Sequence, residues 1–128
     1  MGKALGISKN FIDQFLGYIK TVKDILLFVD EWRTPITPHF VAKSVWEIAL
    51  SNFQGILHLC GTEKINRYQL GIKIAEYLNY PADTLKKAYS DQVTSYPRPL
   101  DVSMRSLFAS GILSVQQQKI TDTLKEML

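Results

Sequence analysis

Two arginines carry the most pointed chemistry in this sequence. Arg33 stands between Trp32 and Thr34 in the polar run 30–36, just ahead of Thr37-Pro38, and Arg98 is fixed between Pro97 and Pro99. A guanidinium offers a rigid planar fork of donors that matches phosphate bidentately, and a loop stiffened by proline holds that fork in place. The helix that Thr37-Pro38 should open adds unpaired N–H groups and the positive end of a dipole nearby. The other use for both side chains is to tie down loop carbonyls, and the local sequence leaves the two readings open.

The remaining polar residues point to less. The sequence contains no Gly-x-Gly-x-x-Gly and no P-loop, hence no ready cradle for a dinucleotide or triphosphate. Cys60, His39 and His58 do not fall at metal-ligand spacing. His58 alternates with Leu57 and Leu59 and is expected to be a structural residue of a buried strand. His39 is expected to be exposed in a first helical turn, and Cys60 to pack as a small hydrophobe. Asp30, Glu31, Asp83 and Asp91 show no pairing that suits acid–base work and are assigned to surface or turns. A single cysteine permits no internal disulfide and fits a reducing cytoplasm. No apolar run approaches the ~20 residues of a membrane span, and the first residues lack the apolar core of a signal peptide. The expectation is a soluble cytoplasmic domain with no membrane partner. The net charge is only +3, and no basic run exceeds the pair Lys86-Lys87, so no nucleic-acid partner is expected.

The elements that must position Arg33 and Arg98 read as follows. With 128 residues, 46% hydrophobic and 21% charged, the chain is long and apolar enough for one domain over 1–128. Ser8 or Asn10 caps a helix running to about Val22 on Phe11, Ile12, Phe15, Leu16 and Ile19. Gly17 within it costs about 1 kcal/mol relative to alanine, which predicts close packing there. Residues 25–29 read as a parallel strand buried on both faces. The next helix carries Val41, Val45, Ile48 and Ala49 to near Ser51, and the glycine-bracketed run 55–61 completes a βαβ unit. Asn66 and Gln69 form a capping box for a helix on Leu70, Ile74, Tyr77 and Leu78, which Asn79-Tyr80-Pro81 stops. Residues 82–96 read as a turn and then something extended, and 97–99 as extended. Ser103 should cap a short helix through Phe108 that Gly111 ends, and Ser114 with Gln117 a last helix on Ile120, Leu124, Met127 and Leu128. The fold class is α/β, helix-rich with short parallel strands.

In that order, the first helix, the strand, Trp32-Arg33-Thr34-Pro35-Ile36, Val41-Ala42, Gly55 to Gly61, the Tyr68 helix and Arg98-Pro99-Leu100-Asp101-Val102-Ser103-Met104 form a recognisable series. From about Asn10 to Leu113 the chain resembles the C-terminal part of extended short-chain dehydrogenases/reductases acting on nucleotide sugars. The nearest branch is dTDP-4-dehydrorhamnose reductase, with sugar epimerases as cousins. The resemblance implies that Arg33 and Arg98 contact the diphosphate of a dTDP-sugar, that Asp101 braces the turn, and that Trp32 and Tyr68 line the base or sugar pocket. It implies NAD(P) as the cofactor of the parent enzyme, held by none of the residues here. Phe40 stands where the family carries an aspartate seven residues after the first arginine. The family's glycine-rich turn and Tyr-x-x-x-Lys pair belong upstream, and none of Tyr18, Tyr68, Tyr77, Tyr80, Tyr89 and Tyr96 has a lysine four residues on. In that mechanism the tyrosine gives a proton while the cofactor gives hydride. The resemblance therefore implies a substrate-binding lobe that lacks the N-terminal Rossmann region and is inactive alone. The alternative is a non-catalytic regulatory or binding module of the same family. Unpaired strand edges in such a lobe predict self-association.

Overall fold

The computed structural model describes residues 11–21, 23–115 and 117–128. The caps expected at Ser8 or Asn10, and a helix end at Val22, lie outside the described residues. Helix α1 (Phe11–Thr21) buries Ile12 and Phe15, the residues its periodicity turns to one side. Gly17 has nothing within 4 Å of where a Cβ would stand, so the close packing expected there is absent.

Strand β1 (Ile25–Phe28) sends Ile25 and Leu27 inward while Leu26 is 57% exposed. It is therefore buried on one face and not on two, because only one of its faces is covered by helices. Its parallel partner is β4 (Leu85–Ala88), in register from Ile25↔Leu85 to Phe28↔Ala88. The expected partner, 55–61, forms no strand, and Ile56 is 84% exposed. That segment lies beside 104–106 through side-chain bonds in place of a ladder: Ser106 Oγ donates to the His58 carbonyl and Cys60 Sγ to the Met104 carbonyl. The βαβ unit of 25–29 and 55–61 is not formed, and His58 is an exposed residue and not a core histidine.

Helix α2 (Pro38–Ala49) starts where proline predicts, with Thr37 Oγ1 accepting from the Phe40 N–H at 3.1 Å. Its inward residues are Phe40 and Ser44, while Val45 and Ala49 face outward. The bulk of Phe40 decides this rotation, and Ser44 is buried at low cost because its hydroxyl returns to the Phe40 carbonyl at 2.8 Å. A short antiparallel pair follows, β2 (Trp32–Arg33) with β3 (Ile65–Asn66). Helix α3 (Arg67–Tyr77) opens with the full capping box on Asn66 and Gln69. Its inner face is Gly71, Ile74 and Ala75, and Tyr77 and Leu78 are partly exposed instead of joining that face. Asn79, at φ 53°, takes the left-handed conformation that ends the helix.

A 3-10 turn, Ala82–Thr84, leads into β4, and the one-turn helix α4 (Ser90–Val93) follows. No helix starts at Ser103, because its N–H and hydroxyl both donate to Asp101 Oδ1, at 3.0 and 2.6 Å. The helical turn α5 (Ala109–Ile112) contains Gly111 instead of ending at it. Nor does Ser114 cap the last helix; its N–H is taken by Glu47 Oε1 at 2.6 Å. Helix α6 (Ile120–Met127) begins later, and Glu63 Oε2 accepts its first N–H at 2.7 Å. One apolar cluster draws on α1, β1, β3, α3, β4 and α6. The architecture is α/β, helix-rich with short strands.

Two glycines separate space from strain. Gly17→Ala is expected to raise stability by roughly 0.5–1 kcal/mol, since a helical alanine there meets nothing. Gly61→Ala would place a Cβ 2.0 Å from the Pro35 carbonyl oxygen, which is backbone and cannot swing away. A loss of roughly 1–3 kcal/mol is expected there. Thermal melts of the two variants should move in opposite directions.

Candidate anion-binding site

Strand β2 is the frame on which the site is assembled. The Trp32 N–H donates to the Leu100 carbonyl at 2.7 Å, and the Val102 N–H donates to the Trp32 carbonyl at 3.2 Å. These bonds form a parallel bridge between Trp32 and Asp101 and lay the Arg98 loop against the Arg33 loop. Thr34 Oγ1, accepting from the Met104 N–H at 3.2 Å, extends the seam. Pairing of β2 with β3 then delivers Asn66, and with it the start of α3, to the same place.

Glu31, the residue before β2, is wholly buried, and three guanidinium groups meet it. Arg98 Nε lies 2.8 Å from Oε1, Arg67 Nε 3.4 Å from Oε2, and Arg33 Nη2 3.7 Å from Oε2. Arg67 makes an aligned hydrogen bond, whereas Arg98 is close to Oε1 without aiming its N–H, so Oε1 has an ion pair and accepts no hydrogen bond. A buried carboxylate is tolerated only when paired in this way. Three cations against one anion leave the cluster two positive charges in excess. The assignment of Glu31 to surface or turn is thus overturned. Burial lowers the pKa of the Arg67 guanidinium, Glu31 opposes that, and Arg33 and Arg98 add to it.

Arg33 also realises the second use open to it: Nη1 donates to the Trp32 carbonyl at 2.7 Å and reaches the Leu100 carbonyl at 3.4 Å, and Nη2 reaches the Pro99 carbonyl at 3.4 Å. Arg98 sits with its guanidinium carbon 5.8 Å from the Phe28 ring centre. Two cavities flank the cluster. One of about 450 Å³ has Glu31, Arg67 and Arg98 on its wall beside Phe11, Phe15, Tyr18 and Phe28. The other, about 190 Å³, is lined by Arg33 and Arg67 with Phe11, Pro35 and Ile36.

Trp32 and Tyr68 line neither. The Trp32 ring lies 5.2 Å from Lys64 Nζ, and Tyr68 lies 5.3 Å from Lys87 Nζ along another cavity on α3. Asp101 is exposed and closes the turn with Ser103 while meeting Lys64 Nζ at 2.5 Å. The bonds from Lys64 and Ser103 hold its carboxyl far below the usual aspartate range. Asp30 is engaged as well: burial raises its carboxyl pKa, and the hydrogen bonds from Ser90 Oγ and N–H together outweigh that, for a net lowering. Arg67 escaped sequence reasoning, although one signal was there. A cation at the first residue of α3 faces the positive end of the helix dipole, a place it holds only with a compensating partner.

The strand-to-helix junctions β1–α2, β3–α3 and β4–α4 carry no glycine, so these residues do not fit an NAD(P) cradle. Among the described residues no set of three His, Cys, Asp or Glu side chains could hold a metal ion. No described helix is long and apolar enough to cross a membrane.

No protein-family model and no curated protein matches the sequence. Solved structures do. The dTDP-4-dehydrorhamnose reductase of Bacillus anthracis str. Ames, in complex with NADP, superposes with a TM-score of 0.82 over 94% of this chain at 14% identity. The reductases of Yersinia enterocolitica (0.79 over 100%, 18% identity) and Clostridium acetobutylicum (0.82 over 98%, 16% identity) give the same result. The fold is that of part of a dTDP-4-dehydrorhamnose reductase. The chain spans 43–47% of the length of those reductases.

Glu31→Ala should leave three guanidiniums without their counterion. Because each keeps 26–31% of its side chain in solvent, the expected loss is about 2–3 kcal/mol, below the ~3–5 of a fully buried pair, read as a shifted urea midpoint. Asp30 gives a pH prediction. Its folded pKa lies below the unfolded value of about 3.9, so its stabilisation is complete above that value and is lost as pH falls through the folded pKa. Carboxyl NMR titration should show the Asp30 pKa rising in Ser90→Ala.

Proposed function

We propose that this chain is the substrate-binding portion of an NAD(P)-dependent reductase that acts on the 4-keto group of a dTDP-linked deoxysugar. The observation that carries this reading is the Glu31 cluster: two excess positive charges beside an aromatic cavity, on the fold of such reductases. A nucleoside diphosphate offers the matching pair, anionic phosphates and a flat ring. In this reading Arg33 and Arg98 hold the diphosphate, Asp101 keeps the Arg98 loop in place, and Trp32 and Tyr68 serve the outer, sugar end of the ligand.

Cofactor, hydride transfer and proton donation belong to a Rossmann portion outside these residues, so the chain alone is expected to bind and not to reduce. The missing Tyr-x-x-x-Lys pair also favours a second reading, a non-catalytic binding module of the same family. A reading frame that joins this chain to a glycine-rich turn and that pair supports the reductase, and a frame without them supports the module. The faces carrying Trp46, Leu50, Ile56, Leu107 and Phe108, all more than two-thirds exposed, are those we assign to such a partner or to a second copy. Sedimentation equilibrium should accordingly give a mass above 14.6 kDa at high micromolar concentration, and a clean monomer overturns self-association.

Isothermal titration with dTDP tests the site. Binding by the wild type and a loss of about ten-fold or more in Arg33→Ala/Arg98→Ala are expected. Equal heats for the two proteins would remove the assignment.

A further inference from the structure

The two arginines of the proposed clamp do not line the same cavity. Arg98 is on the wall of the larger one and Arg33 on that of the smaller, while Arg67 lines both. We infer that Arg67 is a third phosphate-binding residue, the one arginine of the cluster that lines both cavities, and that it makes the site select a diphosphate over a single phosphate. The inference rests on the reading of the Glu31 cluster as an anion site and names the residue at its centre.

Three observations support it. First, among the described residues Arg67 makes one hydrogen bond, through Nε to Glu31, which leaves both Nη groups available as a parallel pair of donors. Arg33, in contrast, has both of its Nη groups turned to the carbonyls of Trp32, Pro99 and Leu100. Second, the plane of the Arg67 fork is set from two sides, by Glu31 at Nε and by the Phe11 ring 4.6 Å from the guanidinium carbon. A fork fixed in this way loses little freedom on meeting a phosphate. Third, Arg67 is the first residue of the eleven-residue α3, where the dipole disfavours a cation and favours an anion beside it. One phosphate shared by Arg98 and Arg67, and the next by Arg67 and Arg33, uses both cavities at once. Glu31 is the positioning residue, since it holds the Arg67 fork by a hydrogen bond and draws Arg33 and Arg98 in by ion pairs.

The test uses the full chain with inorganic pyrophosphate and orthophosphate as probes, at one fixed salt concentration, followed by titration calorimetry. Wild type should prefer pyrophosphate by about ten-fold or more. Arg67→Gln should weaken pyrophosphate about ten-fold and bring the preference to within roughly two-fold of unity. A merely structural role would change both affinities together and leave their ratio alone. If Arg67→Gln lacks the wild-type circular dichroism, Arg67→Lys decides, because it keeps the charge and loses the fork; a ratio unchanged from wild type overturns the inference. So does wild-type protein that fails to distinguish the two ions. Pyrophosphate selectivity that depends on Arg67, with no binding of dTDP, supports this inference and sinks the nucleotide-sugar reading. Binding of dTDP that is indifferent to Arg67 does the reverse.

Discussion

A single buried carboxylate, that of Glu31, sets the terms for this structure. Taking such a charge out of water costs several kcal/mol unless opposite charges surround it. The chain meets that demand from three places: Arg33 two residues on in β2, Arg67 at the start of α3, and Arg98 in the proline-flanked loop. Each must arrive at once, so the segments carrying them must be held together by something other than charge. The Trp32–Asp101 bridge holds the Arg98 loop, and the β2–β3 pair with its capping box holds the start of α3. The price of burying one anion is thus an overfilled cation shell, and that surplus is what a ligand would meet.

The surroundings of Phe40 show how the loop before α2 is held without a carboxylate at that position. Phe40 is 1% exposed and packs inward, so it can brace nothing polar. Thr37 supplies the cap instead, and its hydroxyl lies 2.8 Å from Gln118 Oε1 and 3.2 Å from Glu126 Oε2, which ties the α2 N-terminus to α6 and the segment before it. Gly61, whose N–H donates to the Thr34 carbonyl at 3.2 Å, closes the other side of the loop. The loop is thus braced by a set of contacts spread through the chain and not by one side chain.

What was legible in the sequence was local. Thr37-Pro38 and Asn66-x-x-Gln69 name their helix starts because the atoms that satisfy the first N–H groups are within three residues. The parallel character of β1 was legible too, but its partner was not, since β4 is a four-residue run with two exposed lysines at its centre. Glu31 was out of reach for the same reason in stronger form. Nothing within a turn of it, apart from Arg33, tells that two more arginines converge there. Ser103 and Ser114 look like caps, and each is claimed by a carboxylate, Asp101 and Glu47. Capping patterns state what a side chain can do, and tertiary neighbours decide what it does.

Residues 55–60 carry that distinction furthest. Glycine on either side and Ile-Leu-His-Leu-Cys between describe a strand, yet only Cys60, at the end, is buried, and Ile56 stands almost entirely in solvent. That is the composition of a paired strand, and among the described residues no strand pairs with it. The reductases that share the fold are more than twice as long as the part this chain matches. Charge and apolar surface are therefore resolved differently here. The Glu31 carboxylate finds three counterions within the chain, because a buried charge must be answered wherever the chain folds. An apolar segment is under a softer demand, losing only ~25 cal/mol for each Å² left in water, and it can stay exposed while the buried carboxylate is paired.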